Sequence, residues 1–197
     1  MDQPNHFCAV WLAAEPYLRA RKNDVHVPLA FRYAERLVAA HADCNPTVVL
    51  LATLLHDCGW AVIDEERIFS EGFGKDMMKS QVRFLHEKEG ARIAREVLTP
   101  LGYDGAIIDE VCAIIDGHDT RKVPLSLNDK LMKDADKLWR FDVVGNAIAC
   151  DWFHMTPRQY ADRVERDILP QLFSDTSKQI AREELARTRH LFVLDCL

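Results

Sequence analysis

Helical periodicity runs through nearly all of this 197-residue sequence and limits the fold more than any other feature. In "VPLAFRYAERLVAAHA", Leu29, Tyr33, Leu37 and Ala40 fall on one stripe at three- and four-residue steps. The same spacing recurs at Ala91, Ala94, Val97 and Leu98, at Ile107, Ile108, Val111, Ile114 and Ile115, and at Leu127, Leu131, Ala135 and Leu138. Alternating strand patterns and Asn-Gly hairpin signals are missing. These patterns predict an all-α fold of seven or eight helices.

Helix boundaries are also marked. Asn45 is a candidate N-cap with Pro46 at the first helical position, and Gly59 reads as the residue that closes this helix. Thr156-Pro157 opens a helix in "TPRQYADRVERDILPQLF", and "DTSKQIAREELARTRHLFVL" reads as a final amphipathic helix. Residues 64–80 are the least regular stretch and read as a loop or short helix. With no linker or internal repeat, residues 1–197 are expected to form one domain, with a core over about 20–140 and C-terminal helices from about 145 packing on it.

A net charge of −6 argues against a protein devoted to nucleic-acid backbone. No apolar run reaches the roughly 20 residues of a membrane span, and the N-terminus lacks signal-peptide character. The six cysteines form no CxxC pair, so they read as reduced, mostly buried thiols of a cytoplasmic protein.

The chemistry concentrates in histidines and aspartates. His6, His41, His154 and His190 lie near termini or on polar flanks and receive no role. His26, His56, His86 and His118 each stand at a helix edge, at intervals of about 30 residues. Asp57 adjoins the second, and Asp136 follows in "KDADKL". Imidazoles and carboxylates delivered inward by several helices suit iron, manganese, zinc or magnesium. A single histidine at a helix end is more often a cap or a surface residue, so the set rather than any member carries the metal hypothesis.

The stretches "NDVHVPLAFRYAERL", "LLATLLHDCG" and "LMKDADKL" together resemble the H…HD…D pattern of the HD superfamily of metal-dependent phosphohydrolases. "HEKEGARIAREVL" and "IIDGHDTRKVPLSL" resemble the additional ligand segments of its dinuclear branch, and "GHDTRKVPLSLNDKLMKDADKL" is similar to its bacterial diadenosine tetraphosphate hydrolases. The resemblance implies the HD helical bundle. It also implies a pair of divalent ions, iron first and manganese second, on His26, His56, Asp57, His86, His118 and Asp136, with Asp57 bridging. The implied reaction is hydrolysis of a small phosphate ester or anhydride, such as a nucleotide, with Asp57 and Arg121 catalytic.

Arg121, Lys122 and Lys133 are the leading candidates to hold the substrate, with Lys75, Lys79, Arg83 and Lys137 as further cations. Dinuclear members commonly carry a lysine three residues after the Asp of the pair, and here that place is Trp60, whose ring could stack on a base or wall the pocket. Some relatives altered at this place are mixed-valent diiron oxygenases that cleave C–P or C–C bonds, which makes that reaction the alternative. A third alternative is a catalytically silent module that binds a nucleotide or a partner. The terminal helices could form a homodimer surface, and no membrane or nucleic-acid partner is expected.

Overall fold

The computed structural model describes residues 4–72 and 81–192, so Lys75 and Lys79 lie outside the described residues. Ten α-helices and short tighter turns account for the regular structure among them. The helices are α1 (Pro4–Ala14), α2 (Asn23–Ala40), α3 (Pro46–Leu55), α4 (Glu65–Gly72), α5 (Gln81–Leu98), α6 (Gly105–Ile115), α7 (Leu127–Leu138), α8 (Val143–Phe153), α9 (Pro157–Arg163) and α10 (Asp175–Phe192). The fold is all-α. The helix count exceeds the expected seven or eight because α1, the short α4 and α8 have no strong apolar stripe in the sequence.

Helix α3 is the axis of the fold. All eight residues from Val48 to Leu55 are buried. A helix that is apolar on every side must be covered on every side. Helices α1, α2, α5, α6 and α7 supply that cover. The Asn45 side chain caps α3 by accepting from the amides of Thr47 and Val48. Two apolar clusters meet along α3. One joins α1, α2, α5 and α6, and the other joins α2 and α7 to the C-terminal helices.

Two sequence readings need correction. Helix α3 stops at Leu55, and Gly59 lies in a 3₁₀ turn (Cys58–Val62) rather than at a helix C-cap. Its small size serves packing, since a Cβ there would stand 1.9 Å from the His86 carbonyl oxygen and 2.5 Å from the Gly90 nitrogen. The stretch from Thr156 is likewise not one helix. The Thr156–Gln159 capping box starts α9, but the chain widens into a π turn at Val164–Ile168 and then tightens at Leu169–Gln171. Pro170 lacks the amide that a continuing helix would use there.

Candidate metal centre

Five segments converge on one buried point. His26 comes from the first turns of α2, His56 and Asp57 from the end of α3, His86 from α5, His118 from the turn after α6, and Asp136 from α7. All six are buried. The Asp57 carboxylate stands between two groups of nitrogens. Its Oδ2 lies 3.3 Å from His26 Nδ1 and 3.7 Å from His56 Nε2. Its Oδ1 lies 3.5 Å from His118 Nε2 and 3.8 Å from His86 Nε2. Asp136 Oδ1 closes the first side, at 3.0 Å from His26 Nε2 and 3.5 Å from His56 Nε2.

This donor set fits metal ions. His56 Nδ1 is 2.8 Å from the Thr53 carbonyl and His118 Nδ1 is 2.9 Å from the Ile115 carbonyl. A carbonyl only accepts, so Nδ1 donates in both rings and, in the neutral imidazole, Nε2 presents its lone pair to the centre. His56 Nε2 is buried with no hydrogen-bond partner, which is costly unless a ligand answers it. In the second triangle, edges of 3.4 and 3.5 Å fall within the spacing of roughly 3.3–3.6 Å that tetrahedral ligands show around an ion at roughly 2.0–2.2 Å, and the third, 3.8 Å, is slightly longer. Two groups could therefore hold a metal, His26–His56–Asp57 and Asp57–His86–His118.

Without a metal, protons balance the cluster. Burial works to raise the Asp57 pKa, but the His56 charge and hydrogen bonds from His118 and His26 hold it well below the usual carboxylate range. Asp136 is lowered likewise, against its burial, by Arg140, by the hydrogen bond from His26 and by the nearby His56 imidazole. Burial lowers the His118 pKa, yet its bond to Asp57 and the charges of Asp119, Asp57 and Glu87 raise it to about 9. Burial and the His118 charge push His86 down to about 3. Metal entry must displace the His118 proton.

The candidates beyond the ligands fall in different places. The buried Trp60 donates its indole N–H to Asp57 Oδ1 at 3.0 Å and stacks on His86 with ring centres 4.0 Å apart. Arg121 turns away from the cluster. Its guanidinium bonds the Ala113 and Ile114 carbonyls at the end of α6 and lies 3.6 Å from Asp129. Buried Lys133 donates to the carbonyls of Gly117, His118 and Arg121 at 2.6, 2.7 and 3.2 Å. It secures the His118 turn from beneath. Lys122 is exposed.

A cavity of about 250 Å³ opens over the ligands, and sequence reasoning missed most of its wall. Its cations are Arg21, Arg83, Lys137, Arg140 and Arg163, beside Trp139, Phe153 and Tyr160. Arg83 pairs with Asp119, and Arg140 lies 3.6 Å from Asp136. Arg21 sits in a left-handed backbone turn with Lys22, at φ values of 53° and 59°, an uncommon conformation for residues with a Cβ. Its guanidinium stands 4.6 Å from the centre of the Trp60 ring. Asp119 had a visible signal, because His118-Asp119 is a second adjacent His-Asp pair. Glu87 holds that pair by accepting from the amides of Asp119 and Thr120, each at 2.8 Å.

An all-α bundle that turns four histidines and two aspartates onto one buried point defines a class of helical proteins with a candidate metal site. The chain belongs to the HD-domain family, whose model matches residues 24–140. Its fold is similar to the crystal structure of a predicted HD superfamily hydrolase from an uncultured Thermotogales bacterium. That likeness has a TM-score of 0.64 at 17% identity and covers 97% of this chain and 95% of the other. No curated protein matches the sequence. The cavity wall from Phe153 to Gln171 lies beyond the matched stretch. No helix among the described residues is long and apolar enough to cross a membrane.

Proposed function

We propose that this protein is a metal-dependent phosphohydrolase acting on a small phosphate ester or anhydride. One observation carries the reading: two three-donor groups share Asp57 and lie beneath a cavity lined by five cationic side chains. Phosphoryl transfer needs positive charge around the non-attacking oxygens, and a cation-lined pocket over a His/Asp cluster supplies it.

His26, His56, Asp57 and Asp136 would hold one ion, and Asp57, His86 and His118 the other; thiolate-free donors suit several divalent metals, and the family resemblance puts iron first and manganese next. Ions in such a site supply Lewis acidity, lowering the pKa of water and neutralising phosphoryl charge. The chain's own residues do the rest. Arg83, braced by Asp119, and Arg140, braced by Asp136, face the cavity as pre-oriented donors for phosphoryl oxygens. Arg21 brings a guanidinium over the Trp60 ring, beside the place where the resemblance would put a lysine. Trp60 holds Asp57 Oδ1 and walls His86 from solvent. The cavity volume suits a small substrate better than a dinucleoside polyphosphate enclosed whole.

The test is metal analysis of purified protein, followed by phosphoester assays with manganese or ferrous iron under argon, dinucleoside polyphosphates included. Oxygen-independent release of phosphate supports the reading. A lack of phosphate release, together with a mixed-valent iron signal and substrate-dependent oxygen uptake, would replace it with the oxygenase.

A further inference from the structure

We infer that the cavity contains a second anion subsite, built by Lys137 and Arg163, and that the substrate is a small molecule with an anionic group besides its reacting phosphoryl group. The inference rests on the phosphohydrolase reading and narrows its substrate class.

The argument starts from how the cavity's charges are balanced. Of its five cations, Arg83 and Arg140 have carboxylate partners in Asp119 and Asp136. Lys137 and Arg163 form no ion pair among the described residues. The Lys137 ammonium donates to the Lys133 carbonyl at 3.3 Å and stands 5.8 Å from the centre of the Phe173 ring. The Arg163 guanidinium lies 4.5 Å from the centre of the Phe153 ring and reaches Met155 Sδ at 4.0 Å. The nearby Asp167 carboxylate is engaged by Arg166, with both contacts at 2.8 Å. Neutral partners therefore hold both cations in place, and no carboxylate among the described residues is in ion-pair contact with either.

Both side chains are half-buried and line the cavity, so they are not freely solvated surface charges. Phe153, Val164 and Ile168 add apolar wall to the same cavity, and Phe153 lies against Arg163, which strengthens an ionic contact relative to open water. The local fold also departs from regularity here. Arg163 ends α9 where the π turn begins, and that turn brings Val164, Ile168 and then Gln171 to the cavity. Single π turns inside helices are frequent at functional sites. His26, Asp57, His118 and Asp136 line the same cavity, so a phosphoryl group placed against them leaves Lys137 and Arg163 for the remainder of the molecule.

The experiment compares non-hydrolysable probes on the manganese-loaded full chain by calorimetry. Alkylphosphonates of two to four carbons serve as the reference. Phosphonocarboxylates and alkylene bisphosphonates of the same lengths carry the second anion. At least one length should bind about tenfold or more tighter than its alkylphosphonate, as expected for a charge-assisted contact. That ratio should fall to about one in Lys137→Met and in Arg163→Met. Thermal melts of both variants check that the fold survives, and Arg163→Lys should restore part of the ratio if the first substitution disturbs folding. A larger gain for carboxylate or for phosphonate identifies the anion. Alkylphosphonate binding with no gain from any second anion would overturn this inference and leave the hydrolase reading standing. A gain that persists in both variants would overturn it equally. If no phosphonate binds the metal-loaded protein, the phosphohydrolase reading falls, and this inference falls with it.

Discussion

Trp60→Phe should weaken metal binding on one side of the cluster and spare the other. The indole N–H donates to Asp57 Oδ1 at 3.0 Å, and that oxygen is the one facing His86 and His118. The opposite oxygen faces His26 and His56. A hydrogen bond to a charged group contributes about 1.5–3 kcal/mol, and loss of a partner that orients a metal ligand typically costs about 10–100-fold in affinity. The two ranges agree, since about 1.4 kcal/mol is a factor of ten. Phenylalanine keeps an aromatic ring against His86, so the cost in fold stability should stay below the ~3–5 kcal/mol of truncating a buried tryptophan to alanine. The assay is calorimetric titration of the metal-free protein with manganese, run on wild type, Trp60→Phe, His86→Ala and the double variant. The event assigned to Asp57–His86–His118 should weaken by about 10–100-fold in Trp60→Phe, while the other changes by less than about threefold. In the His86→Ala background, Trp60→Phe should do little more, because the two residues act on one site. Equal weakening of both events, or full additivity of the two substitutions, would refute the orientation argument.

Three further outcomes can be measured on the same protein. Gly59→Ala should cost more than about 3 kcal/mol and lower the melting temperature by about 6 °C or more, because its Cβ would stand 1.9 Å from the backbone oxygen of His86. Lys133→Met should lower both the melting temperature and metal occupancy, by about 3–5 kcal/mol in stability, since three buried carbonyls lose their donor; unchanged melting with weaker phosphonate binding would instead give Lys133 the substrate role. For His118, raised from 6.5 to about 9, the stabilisation is fully present below about pH 6.5 and is lost as pH rises through about 9 in the metal-free protein. Metal competes with that proton, so affinity should climb across the same window and binding near neutral pH should release protons, read from how the calorimetric enthalpy varies with buffer; identical enthalpies in all buffers would sink this.

The sequence carried the fold and the ligands far better than it carried the pocket. Caps at Asn45 and Thr156 follow from local hydrogen bonding, and apolar spacing marks helices wherever one face is buried, so both are readable within a few residues. The six histidine and aspartate positions were accessible through their residue types and pattern rather than their place on a helix, since His86 and Asp136 lie within α5 and α7. Direction was not. Arg121 lies three residues from His118, yet Gly117 at φ 119° turns the chain, and the guanidinium finds the carbonyls ending α6 and the carboxylate of Asp129. Lys133 was close to the site along the chain and ended beneath it. Arg83 and Lys137 were among the cations the sequence offered, but the rest of the cationic wall was illegible for another reason. It draws Arg21 from a strained turn before α2, Arg140 from beyond α7, and Arg163 from the edge of a π turn, and only tertiary packing brings these together.

The two adjacent His-Asp pairs show how one short motif takes different support. His56-Asp57 ends a helix buried continuously from Val48 to Leu55, so the core itself fixes this pair. His118-Asp119 stands on a turn with no such anchor, and polar groups replace the core. Glu87 takes the amides of Asp119 and Thr120, Lys133 takes the carbonyls of Gly117 and His118, and Arg83 takes the Asp119 carboxylate. Glu87 follows His86 in α5, so the same helix turn that delivers one ligand also fastens the turn that delivers the other. Trp60 then couples the pairs by stacking on His86 while bonding Asp57. A lysine at that place would bring charge to the site but could neither stack on the imidazole nor accept Arg21 over its face. Trp60 is thus the residue that ties the core-built half of the cluster to the half built from polar contacts.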